Sequence, residues 1–211
     1  MSTSPRRALV VIDVQNEYVT GNLLIDHPPV SESLAHIALA MDTAHAFGIP
    51  IAVARHGLPE DAPLFATGSH GWSLHEVVAG RHRDHLIDKT RPSVYTGTDF
   101  ADWLAGHAVD TLTVVGFMTH NCNASTVFEA MHRGLTVEHL SDATGSPPYA
   151  NDAGSATAEE IHRVFNVVFH SNFAAVATTR QWVDAVRDGV ALECDSVPAS
   201  YRRGRALSGR D

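Results

Sequence analysis

Short apolar, β-branched runs alternate along this chain with segments whose apolar residues recur at helical spacing. Ala8-Leu9-Val10-Val11-Ile12 is a continuous apolar run of the kind a strand buried on both faces needs, and it ends at Asp13. A loop rich in Gly, Asn and Pro follows from Thr20 to Val30. Ser31 is then the expected N-cap of a helix carrying Leu34, Ile37, Ala38 and Met41, up to Gly48. Ile49 to Ala54 reads as a second strand with its proline at the tolerated starting end. His85 to Lys89 reads as a third, stopped by Arg91-Pro92. Thr98 or Asp99 can cap a helix holding Phe100, Trp103 and Leu104, before a fourth strand at Thr111 to Val115. Ala124, Val127, Phe128 and Met131 mark the next helix, which Gly134 stops. Leu135 to Leu140 is a fifth strand and Phe173 to Ala177 a weak sixth. Between them Thr157 caps a helix with Ile161, Val164 and Phe165, and a last helix follows Thr179.

Strands and helices alternating throughout predict an α/β fold with a mostly parallel sheet covered on both faces. The expectation is one domain over residues 1–211, with a core over about 8–188. The stretch His56 to His82 is a long loop of mixed Gly, Pro and aromatic residues, which in such a domain is functional or carries short helices. The segment from Ser200 (SYRRGRALSGRD) has little to bury and reads as a mobile tail or an arm that contacts another subunit.

Composition narrows the function class. A net charge of −9, from 15 basic and 24 acidic residues, disfavours nucleic acid or an anionic membrane as the main partner. No apolar run approaches the length of a membrane span, and the first residues lack the form of a secretory signal. The two cysteines, Cys122 and Cys194, make no disulfide framework, so the cytoplasm is the expected compartment. The 14 histidines are scattered rather than clustered.

The chemistry concentrates in TLTVVGFMTHNCNASTVFEAM, Thr111 to Met131. Cys122 follows a strand and a short turn and lies near the start of a helix, an environment that lowers a thiol pKa. On this stretch alone Cys122 is either a nucleophile or a small buried hydrophobe. Ligands of open parallel sheets bind beyond the carboxyl ends of the strands. Asp13, Lys89 and Cys122 all lie where their strands run out. Together they supply a base, a cation and a nucleophile, whereas singly they are a turn residue, a surface charge and a core thiol.

The blocks VVIDVQNEY, IDKTRPSVYTGTDF, VVGFMTHNCNAST and LSDATGS, in that order, resemble the isochorismatase-like cysteine hydrolases, which include nicotinamidases and N-carbamoylsarcosine amidohydrolase. The resemblance implies a three-layer α/β/α sandwich around a six-stranded, mostly parallel, Rossmann-like sheet, with Asp13 as base, Lys89 as catalytic lysine and Cys122 as nucleophile. It also implies a cis Phe117–Met118 peptide, with the backbone N–H groups of Met118 and Cys122 forming an oxyanion hole. It further implies a homo-oligomer, dimer or tetramer, and a small-molecule amide substrate cleaved at a C–N bond through a thioester. Tyr18, Phe117, His120 and Tyr149 are the expected substrate-binding residues; Phe65 and Trp72 are as readily packing residues, and Arg55 and Arg91 surface ion pairs. The metal-binding Asp-Trp-His of nicotinamidases is replaced here by Ala54-Arg55-His56, so no metal and no other cofactor is expected, although His56, His70 and His75 stay open as ligands. The alternatives are a redox or binding protein on the same scaffold, or a nicotinamidase-type deamidase with an atypical metal site.

Overall fold

A computed structural model describes residues 4–207 and 209; the outermost parts of the expected domain and tail, 1–3, 208 and 210–211, lie outside them. Six parallel strands form one sheet: β1 (Arg7–Ile12), β2 (Ile51–His56), β3 (His85–Lys89), β4 (Thr111–Phe117), β5 (Thr136–Gly145) and β8 (Ala175–Ala177). Their order is β3-β2-β1-β4-β5-β8, so the chain winds outward one way from β1 and then the other way from β4. The expected six-stranded α/β fold is present, and its sheet is parallel throughout. A separate antiparallel hairpin, β6 (Tyr149–Asn151) and β7 (Gly154–Ala156), follows β5.

Every residue of β1 and β4 is buried, which is why these two strands read as unbroken apolar runs. Side-chain alternation splits the core into two layers. On one face Leu9, Val11 and Val115 pack with Ile37 and Met41 of α1 (Val30–Ala46) and Trp182 of α6 (Thr179–Asp188). On the other, Val10, Ile12, Leu112 and Val114 pack with Phe100 of α3 (Phe100–Gly106), Val127 of α4 (Ala124–His132) and Phe169 beyond α5 (Ala158–Val168). Each such aliphatic side chain, fully buried, contributes roughly 1.5–3 kcal/mol. At the end of the sheet where the strands begin, Glu138 accepts from Arg7 Nε and Nη2 (3.0 and 2.8 Å), Thr113 Oγ1 (2.8 Å) and Trp182 Nε1 (2.9 Å). One carboxylate thereby ties β1, β4, β5 and α6 together.

Several local expectations are corrected. Helix α1 begins at Val30 with Pro29 as the boundary residue, so Ser31 lies inside its first turn and is not the cap. Asp99 precedes α3 without a side-chain cap; Thr98 Oγ1 instead accepts from the Phe100 N–H at 3.3 Å. Thr157 does cap α5, in a reciprocal pair with Glu160. The 56–82 loop carries one short helix, α2 (Glu76–Ala79). Residues 197–207 form a helix, α7 (Val197–Leu207), that buries none of its side chains. No helix of the described residues is long and apolar enough to cross a membrane.

Candidate active site

The reversal of winding between β1 and β4 leaves a crevice past their carboxyl ends, and backbone geometry there is tightly specified. Gly116, in β4, has φ +103°, and a Cβ at this position would lie 2.1 Å from the Ile12 carbonyl oxygen. Only glycine lets β4 pass that close to β1. Asp13 has φ +51°, a left-handed conformation that aspartate tolerates better than most residues, and its N–H donates to Ala54 O at 2.9 Å. The Phe117–Met118 peptide is cis. A π-helical turn, Thr119–Asn123, then carries Cys122 before α4 begins. Asn123 Nδ2 donates to Gly116 O (2.9 Å), and Thr126 Oγ1 donates to Cys122 O (2.7 Å), so both ends of the turn are pinned.

Asp13, Lys89 and Cys122 converge here from three strands. Lys89 reaches across β2 from the end of β3, and its ammonium has three neighbours. Asp13 Oδ2 lies 2.7 Å away, the Arg91 carbonyl 3.2 Å and Cys122 Sγ 3.4 Å. The side chains of Lys89 and Asp13 are both wholly buried, and Cys122 is 5% exposed. Neither carboxylate oxygen has a hydrogen bond of good angle, so the 2.7 Å contact is an ion pair that leaves lone pairs available. Burial alone would lower the Lys89 pKa, but the Asp13 carboxylate and the Cys122 sulfur outweigh it and raise it. Burial raises the Cys122 pKa, the Asp13 charge raises it further, and Lys89 only partly opposes them. This reverses the lowered thiol pKa expected from a helix start. The thiol lies in a buried turn beside a carboxylate, and at rest it is protonated.

The flanking residues fall into two groups. Tyr18, Phe65 and Phe117 are buried and pack in series at a tilt, with ring centroids 5.1 Å (Tyr18–Phe65) and 5.6 Å (Tyr18–Phe117) apart. Burial first, and then the nearby Cys122 sulfur and Asp13 carboxylate, raise the Tyr18 pKa, so its phenol stays protonated. On the other side, His120 packs edge-on against Tyr149 at 4.9 Å, and the Tyr149 hydroxyl reaches Met118 Sδ at 3.7 Å. Trp72 lies under the Arg55 guanidinium (3.6 Å), which also pairs with Asp88 at 2.8 Å. A cavity of about 500 Å³ opens beside Lys89, lined by Leu58, Pro59, Thr67 and Trp72 among others; Cys122 is not on its wall.

The histidines left open as metal ligands are dispersed. His56 Nδ1 is buried without a partner beside Phe65, His70 Nε2 is 3.2 Å from Thr20 Oγ1, and His75 Nδ1 accepts from the Val77 N–H at the start of α2. Among the described residues no group of three or more His, Cys, Asp or Glu is arranged to hold an ion.

Sequence reading missed Gln15, the fully buried glutamine two residues past Asp13. Its Oε1 accepts from His56 N (2.9 Å), and its Nε2 donates to His56 O (2.9 Å) and Trp72 O (2.7 Å). A polar side chain placed directly after an unbroken buried strand was the available signal. Asn123 and Thr126 were likewise visible only as polar residues one and four positions after Cys122.

A parallel α/β sheet with a buried Asp, Lys and Cys at its topological switch defines the class. Residues 7–181 match the Isochorismatase domain model, and the chain belongs to the isochorismatase family of hydrolases. The computed structure superposes on the crystal structure of an isochorismatase-like protein from Burkholderia xenovorans LB400 with a TM-score of 0.97, at 57% identity, covering 98% of this chain and 100% of that one. The isochorismatase family protein YddQ of Bacillus subtilis is 26% identical over 83% of this chain and 98% of its own length. The ureidoacrylate amidohydrolase of Methylobacterium radiotolerans is 27% identical over 95% of this chain and 84% of its own.

Proposed function

We propose that the protein is a cysteine hydrolase that cleaves the C–N bond of a small amide-type substrate. The observation that carries this reading is the buried contact chain Asp13–Lys89–Cys122, at 2.7 and 3.4 Å. A protonated thiol beside a buried carboxylate suits proton transfer from Cys122 to Asp13 as sulfur attacks the carbonyl carbon. Lys89 offsets the charge on whichever of the two is anionic, so the proton moves without creating an unpaired buried charge. Sulfur and carbonyl carbon form a tetrahedral intermediate, its oxygen received by the Met118 and Cys122 backbone N–H groups. Asp13 returns the proton to the departing nitrogen, the C–N bond breaks, and ammonia or an amine leaves a thioester on Cys122. Water, deprotonated by Asp13, then cleaves the thioester to a carboxylic acid and regenerates the thiol. The amidohydrolase named among the relatives supports C–N bond chemistry. Tyr18, Phe117, His120 and Tyr149 are assigned to the substrate pocket in this reading, and the working unit is a homo-oligomer.

The test is ammonia or amine release across a panel of small carboxamides and ureas, with intact-mass spectrometry of quenched reactions. An acyl adduct on Cys122 that disappears in Cys122→Ala, together with the activity, is the expected result. Amide turnover that survives in Cys122→Ala overturns the assignment.

A further inference from the structure

The turn that carries Cys122 is held by ties of two kinds. The Asn123 and Thr126 bonds described above run within residues 116–126 and shape the turn itself. Thr119, the first residue of the turn, is wholly buried and is tied to a separate element: its Oγ1 lies 3.0 Å from Nδ1 of His162, a buried residue in the second turn of α5. Burial foremost, and then the His27 ring, lower the His162 pKa to about 4, so the imidazole is uncharged near neutral pH. The Ser141 backbone has the smaller, opposite effect, that of a carbonyl accepting from the ring. With that N–H on Nε2, Nδ1 accepts from the Thr119 hydroxyl.

His162 is itself set firmly in place. The reciprocal Thr157–Glu160 pair fixes the start of α5, Asn166 Nδ2 donates to the His162 carbonyl at 3.0 Å, and the His27 ring meets the imidazole edge-on at 5.5 Å. A buried hydrogen bond between two neutral side chains adds little net stability, since exchanging both partners for apolar groups of the same shape is close to neutral. An apolar pair would pack α5 against the turn equally well, but it would not fix the angle at which the turn is held. That angle matters here. The two N–H groups assigned above to the oxyanion hole flank Thr119 in the chain, on Met118 directly before it and on Cys122 three residues after. Such donors act only when held to within about 0.5 Å of the productive geometry.

Resting on the amide-hydrolase reading above, we propose that His162 is a positioning residue for the reaction: through the Thr119 hydroxyl it sets the angle of the π-helical turn, and with it the aim of the Met118 and Cys122 N–H groups at the oxyanion. Its hydrogen bond goes to Thr119, not to Asp13, Lys89 or Cys122. The proton transfers of the mechanism therefore do not pass through it. What it governs is the step in which charge develops on the carbonyl oxygen. The His120 Nδ1 contact with Ser146 Oγ, at 3.1 Å, and the Asn123 and Thr126 bonds stay in place without it, so the turn keeps its shape when this one tie is cut.

The experiment compares variants of the full chain on the carboxamide or urea of the panel above that the wild type turns over fastest. Thr119→Val removes the hydroxyl and keeps the branched shape; it is expected to lower kcat about tenfold to a hundredfold with KM within about threefold. His162→Asn keeps an acceptor where Nδ1 stands and is expected to hold kcat within about threefold of the wild type, whereas His162→Gln, whose amide matches Nε2 instead, is expected to fall with Thr119→Val. Iodoacetamide labels Cys122 by displacement at a saturated carbon and needs no oxyanion hole, so its rate in all three variants should stay within about twofold of the wild type. An unaltered kcat in Thr119→Val overturns this inference alone, as does His162→Asn being no better than His162→Gln. Labelling that falls in step with hydrolysis would show that the thiol itself is displaced, and would overturn it too. Thr119→Val decides if the histidine variants do not fold, and its own failure to fold would make the pair a purely structural element and overturn the inference. Absence of both ammonia or amine release and a Cys122 acyl adduct in the wild type overturns the amide-hydrolase reading and this inference with it.

Discussion

Replacing Lys89 by methionine keeps the length of the side chain and removes the charge that faces Asp13. The wild-type pair is separated by 2.7 Å with both side chains wholly buried. At an effective dielectric of about 20, Coulomb attraction at that distance is about 6 kcal/mol, and desolvation of the two ions offsets much of it. Removing one partner forfeits the attraction but leaves the other ion desolvated. Lys89→Met is therefore expected to lose about 3–5 kcal/mol of folding stability, and Asp13→Asn less, because the Cys122 sulfur, 3.4 Å from Lys89, can then ionise against it. The double variant has no buried ion left, so its loss should be well below the sum of the single losses, with a coupling energy of about 2 kcal/mol or more. Urea denaturation of the four proteins at one concentration and pH 7.5, followed by tryptophan fluorescence, reads this cycle. Losses that add to within about 0.5 kcal/mol would mean the two charges do not interact, and the electrostatics of the site would have to be redrawn.

Three further outcomes follow from contacts elsewhere. Asp13→Asn removes a charge that raises the Cys122 pKa and leaves the thiolate as the anion available to Lys89. Iodoacetamide labelling of Cys122 at pH 7.5, followed by mass spectrometry, should quicken in this variant even as amide hydrolysis is lost; slower labelling contradicts the assigned roles. Glu138→Ala strands the Arg7 guanidinium and leaves Thr113 and Trp182 only each other as partners, so a loss of about 3–5 kcal/mol in urea is expected, and a loss under 1 kcal/mol would refute that the network is cohesive. His139 is wholly buried, and burial, reinforced by His162, lowers its pKa to about 3. Between pH 6.5 and 3 the unfolded chain binds a proton there that the native one does not. Stability is thus fully present above pH 6.5 and falls by about 1.4 kcal/mol per pH unit for this group as pH drops. His139→Leu should flatten the pH dependence of the urea midpoint between pH 6.5 and 4.5, and an unchanged slope would show that His139 is not the source.

The strands were legible because β1 and β4 are buried on both faces and so have no polar alternation to blur them. Asp13, Lys89 and Cys122 were legible because strand ends are where such runs stop. Less visible was β5, which continues past Leu140 to Gly145, with its register against β4 shifting between Val114 and Gly116. The polar Ser141 and Asp142 conceal that continuation, since Asp142 is occupied in accepting from Thr179 N and Oγ1 at 2.7 Å. The β6–β7 hairpin is exposed along most of its length and lacks the apolar pattern that marks a strand. Helix α7 buries no side chain, so its segment carried no core-facing stripe. The protonation state of Cys122 was misread because spacing reports proximity to a helix, whereas burial and the neighbouring carboxylate arise only from the tertiary fold.

Gln15 bears on how such a protein can diversify. Its three hydrogen bonds end on main-chain atoms of His56 and Trp72, never on a side chain. At His56 and Trp72 the 56–82 loop is thus fastened to Gln15 through peptide groups. The side chains at these two positions can be exchanged for others without loosening that fastening, provided the chain trace is kept. A library randomised at 66, 67, 70 and 72, with Gln15, the buried Phe65, Gly68 and the tightly packed Gly71 retained, is a rational starting point for moving this scaffold to new substrates.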